Sequence, residues 1–320
     1  MRRASHQKYL AILLACSCIF GTAIYFSTWL AKVAACPLAD DAGTYLAYCS
    51  DRRYGDFEHM AYGLELVPSA VRSLKNAEVV ILGNSRTQVA FSTPQVDQFF
   101  RDRSISYHVL GFGYNETGEF AAYLFRKYRL TPRVLIINAD TFFTEGLSNQ
   151  AKRAIAAGPQ VWVDGLMKMA FERLHNRICR ISSRTCRHTD AFSIYRSSET
   201  GQWHGYGTAP VLGEEILSMK SGSLDDADLK TSHDVTARLL PSFNVRKECI
   251  ILTGVPNPII DGEKIARVLG QDFGLSVVLP DIKGMRSYDG SHLTRTSAES
   301  WSAAFLSDSA VTIERCLARP

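Results

Sequence analysis

The sequence lacks most of the signatures that announce a metal or cofactor. It has no C-x-x-C pair and no H-E-x-x-H, so no residues have the ligand spacing of a zinc site, and neither a metal nor a cofactor is expected. No internal repeat or low-complexity tract appears, which excludes repeat architectures. The formal net charge is only +4 over 320 residues, too little to point to nucleic acid as a partner. Charge is absent altogether from Tyr9 to Ala31, "YLAILLACSCIFGTAIYFSTWLA". That is about the length a helix needs to cross the hydrocarbon core of a bilayer. Acid is absent from the first eight residues, which carry Arg2, Arg3 and Lys8. This cationic flank favours a cytoplasmic start and an exported remainder, and Tyr25 and Trp29 suit the far interface.

Three fates of this segment remain open: a retained single-pass anchor, which the long apolar run favours, a cleaved signal peptide, or lipidation at "VAAC" (Val33–Cys36). In each, the rest of the chain leaves the cytoplasm, so residues 1–31 read as cytoplasmic tip and anchor in an inner (plasma) membrane with a periplasmic body. Cysteine usage agrees. Cys16 and Cys18 lie in the apolar run, and six others follow in a compartment expected to be oxidising. Cys36/Cys49, Cys179/Cys186 and Cys249/Cys316 is the first pairing expected, one of 15 connectivities that six cysteines allow.

Residues 32–76 show little periodicity and read as a stem followed by a helix near Phe57–Leu74. From there the pattern sharpens. "EVVILG" (78–83), "SYHVLGFG" (106–113), "RVLIINAD" (133–140), "ECIILTGVP" (248–256) and "LSVVLPD" (275–281) are short apolar runs of the kind found in fully buried parallel strands. Helical stretches separate them: Pro94–Arg103, Glu119–Arg129, Glu263–Gln271 and Ser297–Leu306. The alternation predicts a parallel sheet with helices on both faces, an α/β/α sandwich over 77–320. It is interrupted by an insert at about 145–245, read as a helical lobe. Residues 151–196 of the insert carry nine Lys/Arg against Asp164, Glu172 and Asp190. The insert is either an ordinary solvated lobe or a lid whose basic surface meets anionic glycan or lipid headgroups.

Ligands of open parallel sheets bind beyond the carboxyl ends of the strands. Ser85 in "GNSRT", the "GFGYN" turn, Asn138 and the "TGVP" turn all fall there. Ser85 alone is ordinary turn chemistry, and Asn115 can be a helix cap or the start of an Asn-Glu-Thr sequon. "DGSH" near the C-terminus changes the balance. Asp289 and His292 are three residues apart in one turn, a spacing that lets the carboxylate hold Nδ1–H and leaves Nε2 to take a serine proton.

Taken together, "GNSRT", "LGFGYNETGEF", "IINADTFF" and "DGSHLT" resemble, in chain order, the four blocks of the SGNH (GDSL-like) hydrolases. Asn84 stands where Asp is usual, and the third block reads Asn-Ala-Asp instead of Gly-x-Asn-Asp. The resemblance covers about 78–145 and 248–308. It implies an SGNH/flavodoxin-like sheet with Ser85 as nucleophile, His292 as base and Asp289 as orienter. The Ser85 and Gly113 N–H groups and the Asn138 amide would form the oxyanion hole. With the N-terminal anchor, it is most similar to membrane-tethered envelope members that handle O-acetyl groups on polysaccharides. That implies a carbohydrate substrate and a membrane-embedded acyl-donor protein as partner. The departure in the third block, and one in the second, where the Gly usually lies slightly further along, nearer Tyr114 or Glu116, also leave room for a second expectation, a catalytically weak or inactive glycan-binding or scaffold component.

Overall fold

Strands that are apolar on every residue are stable only where both faces of their sheet are covered, and the computed structural model of the chain follows that rule. It describes residues 2–33, 36, 43–50, 54–114, 116–181, 192–206, 215–216, 224–257 and 260–318. In chain order the first elements are α1 (Arg2–Val33), β1 (Thr44–Cys49), β2 (Gly55–Asp56), α2 (Glu58–Gly63), α3 (Pro68–Asn76), β3 (Val79–Asn84), α4 (Ser85–Ala90) and α5 (Thr93–Asp102). Next come β4 (Tyr107–Phe112), α6 (Gly118–Tyr128), β5 (Val134–Asn138), α7 (Asn149–Ala156), α8 (Pro159–Ile181), β6 (Ser193–Ser197) and β7 (Trp203–Tyr206). The chain closes with β8 (Glu215–Ile216), α9 (Asp226–Leu239), β9 (Ile250–Thr253), α10 (Gly262–Phe273), β10 (Ser276–Val277), β11 (Arg286–Ser287) and α11 (Arg295–Ala318).

The protein is α/β. All five expected apolar runs become strands of one parallel sheet, in the order β10-β9-β5-β3-β4. Their side chains alternate between two cores, as the two-residue period of a strand requires. Val80, Leu82, Leu110, Leu135, Ile137 and Leu252 enter one with α6 and α10. Val79, Ile81, Val109, Ile136 and Ile251 enter the other, where Phe91, Phe100, Trp301 and Phe305 of the α4–α5 and α11 side fill the space. Phe91 meets Trp301 edge-on at 5.2 Å.

Two expectations are corrected. The helix expected over Phe57–Leu74 is two helices, α2 and α3. Pro68 starts the second, and the residue before a proline is driven out of the helical region, here Val67 at φ −117°, ψ 81°. The stem is not irregular throughout, and the insert is not purely helical. The insert does contain α7, α8 and α9, but β1 of the stem pairs antiparallel with β6 of the insert, giving a second sheet in the order β2-β1-β6-β7. Each strand is short, and its partner lies about 150 residues away in the chain, so neither has a local signal of pairing.

Cys36–Cys49 and Cys249–Cys316 are disulfides, two of the three expected pairs. The side chains of Cys179 and Cys186 lie outside the described residues, as does Asn115. Because the Cys36 sulfur is bonded to Cys49, that disulfide and lipidation at Cys36 exclude each other. Cys249–Cys316 ties the far end of α11 to the start of β9, and α11 runs twelve residues past the expected Leu306. Among the described residues, one helix is long and apolar enough to cross a membrane, Tyr9–Thr28 within α1, with mean hydropathy 2.0. By length and composition it fits an anchor or a signal sequence, and the disulfides fit an extracytoplasmic body.

A buried acid marks the contact between α8 and the second sheet. Glu172 accepts the Leu46 N–H at 2.7 Å, and burial pushes its carboxyl up to about 7. A raised pKa in the folded state means that the stability present below the unfolded value of about 4.5 is lost as pH rises through 7. Glu172→Gln keeps an acceptor for Leu46 without the charge. Its melting temperature, measured in detergent, should match the parent at pH 5 and exceed it at pH 8, where the gain in stability is up to about 3 kcal/mol. Equal melting temperatures at pH 8 would refute a neutral Glu172.

Candidate active site

Ser85 stands at the first position of α4, where the carboxyl end of β3 surfaces, and this placement is local. Asn84 caps the helix, its Oδ1 accepting the Arg86 N–H at 2.9 Å. Gly83 lets the helix fold tightly back, since a Cβ there would lie 1.9 Å from Thr87 Oγ1. Ser85 Oγ is 2.9 Å from His292 Nε2, and His292 Nδ1 is 2.6 Å from Asp289 Oδ2. Asp289 also accepts the backbone N–H groups of Ser291 (2.9 Å) and His292 (2.7 Å) through Oδ1. Gly290 makes this turn possible with φ +75°. Tyr288 stacks on the His292 ring at 5.7 Å, fixing its plane. Burial would raise Asp289, but the hydrogen bond and charge of His292 and the two N–H groups hold it down to about 2. It is therefore ionised at any physiological pH, and selects the tautomer with the proton on Nδ1 and a lone pair on Nε2 facing Ser85.

These three residues open on a cavity of about 1150 Å³. One wall is the end of the parallel sheet: Ser85, Gln88, Gly113, Tyr114, Tyr288 and His292. The other belongs to the second sheet: Tyr48 of β1, Ile194 of β6, and Trp203, His204 and Gly205 of β7, with Phe192 just before β6. The insert thus does contribute a wall over the site. Among the described residues, the part that does so is aromatic, not basic, and the lining holds no Lys or Arg from the insert.

The oxyanion expectations fare differently. Ser85 is at a helix start, where the backbone N–H has no intrahelical acceptor. Gly113 reaches the cavity, but its N–H donates to Glu58 Oε1 at 2.9 Å. Asn138 does not reach it. It is fully buried at the end of β5, with Nδ2 donating to Thr87 Oγ1 (3.1 Å) and Oδ1 accepting the Val255 N–H (3.0 Å). The physical reason is pairing: Asn138 is the last residue of β5, opposite Thr253 of β9, and its side chain is enclosed between Thr87 and Val255. Its amide pins α4 and the β9 turn together.

Sequence reasoning missed the residues that hold the site's frame. Asp140 accepts from Asn84 Nδ2 (2.8 Å) and from Arg86 Nε (2.5 Å), and Arg86 Nη1 reaches Ser291 Oγ (3.2 Å) in the histidine turn. This explains Asn84: an Asp there would set two buried carboxylates face to face, while an amide donates. Asn84 and Asp140, far apart in sequence, form one amide–carboxylate pair, and reading the two together was the available signal.

Glu58 was also missed. Fully buried on the cavity wall, it accepts from Gly113 N, Arg196 Nη1 (3.0 Å) and Trp203 Nε1 (3.0 Å). Beside it, Asp56, Glu58 and His59 present ligand-type atoms within 4.8 Å of one another. They fit a cation poorly. His59 gives Nδ1 to Asp56 and Nε2 to Glu116, both at 3.0 Å. Burial would lower it, yet the two carboxylates raise it to about 10, so it is an imidazolium without a lone pair to donate.

Comparison with protein-family models, curated proteins and solved structures finds no match for the chain. The reading of this site therefore rests on its own geometry.

Because Asn84 and Asp140 are both buried, Asn84→Asp should lower stability by about 2–4 kcal/mol. Asn84→Asp/Asp140→Asn restores one amide facing one carboxylate and should recover most of the loss in a thermal melt. A neutral Asn84→Asp, or a double variant worse than the single, would contradict this account.

Proposed function

We propose that the protein is a membrane-anchored SGNH-like serine enzyme that transfers or hydrolyses an ester-linked acyl group, most simply acetyl, on a carbohydrate of the cell envelope. One observation carries this reading: an unbroken hydrogen-bonded chain from Ser85 Oγ through His292 to an ionised Asp289, opening on a cavity large enough for a sugar chain. The chain order of the blocks, the parallel sheet with cores on both faces, and Ser85 at a strand end support a three-layer SGNH arrangement. The aromatic lining, with Tyr48, Tyr114, Trp203 and Tyr288, suits the apolar faces of sugar rings.

His292 Nε2 takes the Ser85 proton as Oγ bonds to the ester carbonyl carbon, and the carbonyl oxygen becomes an oxyanion facing the Ser85 N–H. Collapse breaks the bond to the leaving alcohol, which receives the proton from His292 and leaves acyl-Ser85. A sugar hydroxyl or water then attacks, with His292 as base, and the returning proton regenerates Ser85. A donor protein in the membrane would bring the acyl group outward. The body would work on the periplasmic side, held by the α1 anchor. No metal or cofactor takes part in these steps.

A second reading has a specific observation behind it. The Gly113 N–H and the Asn138 amide, two of the three expected oxyanion donors, are both committed elsewhere, and such donors contribute about 3 kcal/mol each to catalysis. The alternative is a glycan-binding or scaffold component with little turnover.

A fluorophosphonate probe separates the two. Wild-type protein should label, Ser85→Ala should not, and Asp289→Asn should lose roughly 10⁴-fold in esterase rate through loss of the correct histidine tautomer. Absence of labelling in folded protein would remove the covalent mechanism and favour the binding reading. With acetylated donor and an oligosaccharide acceptor, acetyl on sugar marks a transferase and free acetate alone an esterase.

A further inference from the structure

Helix α8 has an unusual distribution of polarity. Its buried side carries charge beside Phe171: Lys168 reaches the Asp56 carbonyl and Glu172 the Leu46 N–H. Its outer side is apolar. Trp162, Val163, Leu166 and Leu174 are 41%, 55%, 43% and 42% exposed, and the helical repeat places them with Ala170 on one face. Exposed Arg173 and Arg177 lie on the same face in the last turns. A helix packed on a protein core in water has the opposite polarity.

The structure also places this helix beside the anchor. Phe26 of α1 packs against Phe171 of α8 with ring centroids 5.6 Å apart. Phe26 is two residues from the end of the apolar span Tyr9–Thr28. Where that span crosses a bilayer, Phe171 stands at the headgroup boundary, the depth that suits tryptophan, aliphatic residues and arginine together.

We propose that α8 is a second membrane-contacting element, lying in the lipid interface. Trp162, Val163, Leu166 and Leu174 face the acyl chains, and Arg173 and Arg177 face anionic headgroups. The proposal rests on α1 being a retained anchor. Its consequence is positional. Glu172 binds Leu46, and Tyr48, two residues on, lines the cavity, so docking of α8 holds the cavity near the membrane surface.

The test uses the full chain in nanodiscs of phosphatidylcholine with phosphatidylglycerol, on a Cys16→Ser/Cys18→Ser background whose own labelling sets the baseline. Nitroxide labels at Val163→Cys and Leu166→Cys are compared with Ile19→Cys in α1 and Val311→Cys in α11, where Val311 is 75% exposed. Accessibility to oxygen relative to a water-soluble nickel chelate should be several-fold higher at 163 and 166 than at 311, and lower than at 19. Arg173→Glu/Arg177→Glu should move the ratio towards that of 311. Labels at 163 and 166 that behave like 311, or that are shielded from both reagents as in a protein contact, overturn the proposal while Ile19 reports lipid. An Ile19 label outside lipid overturns the anchor reading and the proposal with it.

Discussion

The ion pair between Glu58 and Arg196 is the constraint on which the rest of the site depends. Both side chains are fully buried, and each is held by more than the other. Arg196 also donates to the Val109 carbonyl at 2.7 Å and lies over Tyr62 and Phe112, while Glu58 takes the Gly113 and Trp203 N–H groups. A buried pair of this kind adds little net stability, but separating it leaves two uncompensated charges. One bond therefore locks β6 of the insert to α2 and to β4 of the parallel sheet. The second sheet cannot swing away from the cavity without stranding both ions, so it behaves as a wall.

The same pair sets the electrostatics beneath the proposed nucleophile. By holding the Gly113 N–H, Glu58 takes a donor that an oxyanion would otherwise use. Next to it, behind the cavity wall, the His59 imidazolium sits between Asp56 and Glu116 and bonds to both. On the other side, Asp140 links Asn84, Arg86 and, through Arg86, the turn that carries His292. The serine and the histidine turn, more than two hundred residues apart in sequence, are thus held together by a buried guanidinium as well as by their own hydrogen bond.

Much of the parallel sheet was legible because each of its strands is a local object. An apolar run such as "EVVILG" or "VLIIN" needs cover on both faces, and the helices that provide it alternate with the strands along the chain. The Asp289–His292 turn was legible for the same reason: its spacing alone brings carboxylate and imidazole together. The second sheet was not. β1 and β6 read as irregular stem and helical lobe because what makes them strands is a partner far along the chain. Asn138 misled in a related way. Its residue type suits an oxyanion donor, but its amide is engaged by Thr87 and Val255, neighbours that only the folded chain supplies.

By itself, then, the sequence determined the α/β class, the five apolar runs that form the parallel sheet, the serine at a strand end, the Asp-x-x-His turn and an apolar N-terminal helix. All of these follow from short-range periodicity and spacing. Only the tertiary structure decided which polar groups are spent on one another: Asn84 on Asp140, Gly113 on Glu58, Asn138 on Thr87, and Glu58 on Arg196. Hydrogen-bond satisfaction in a buried site is a property of three-dimensional neighbours, and those neighbours come from segments that carry no mark of one another in the chain.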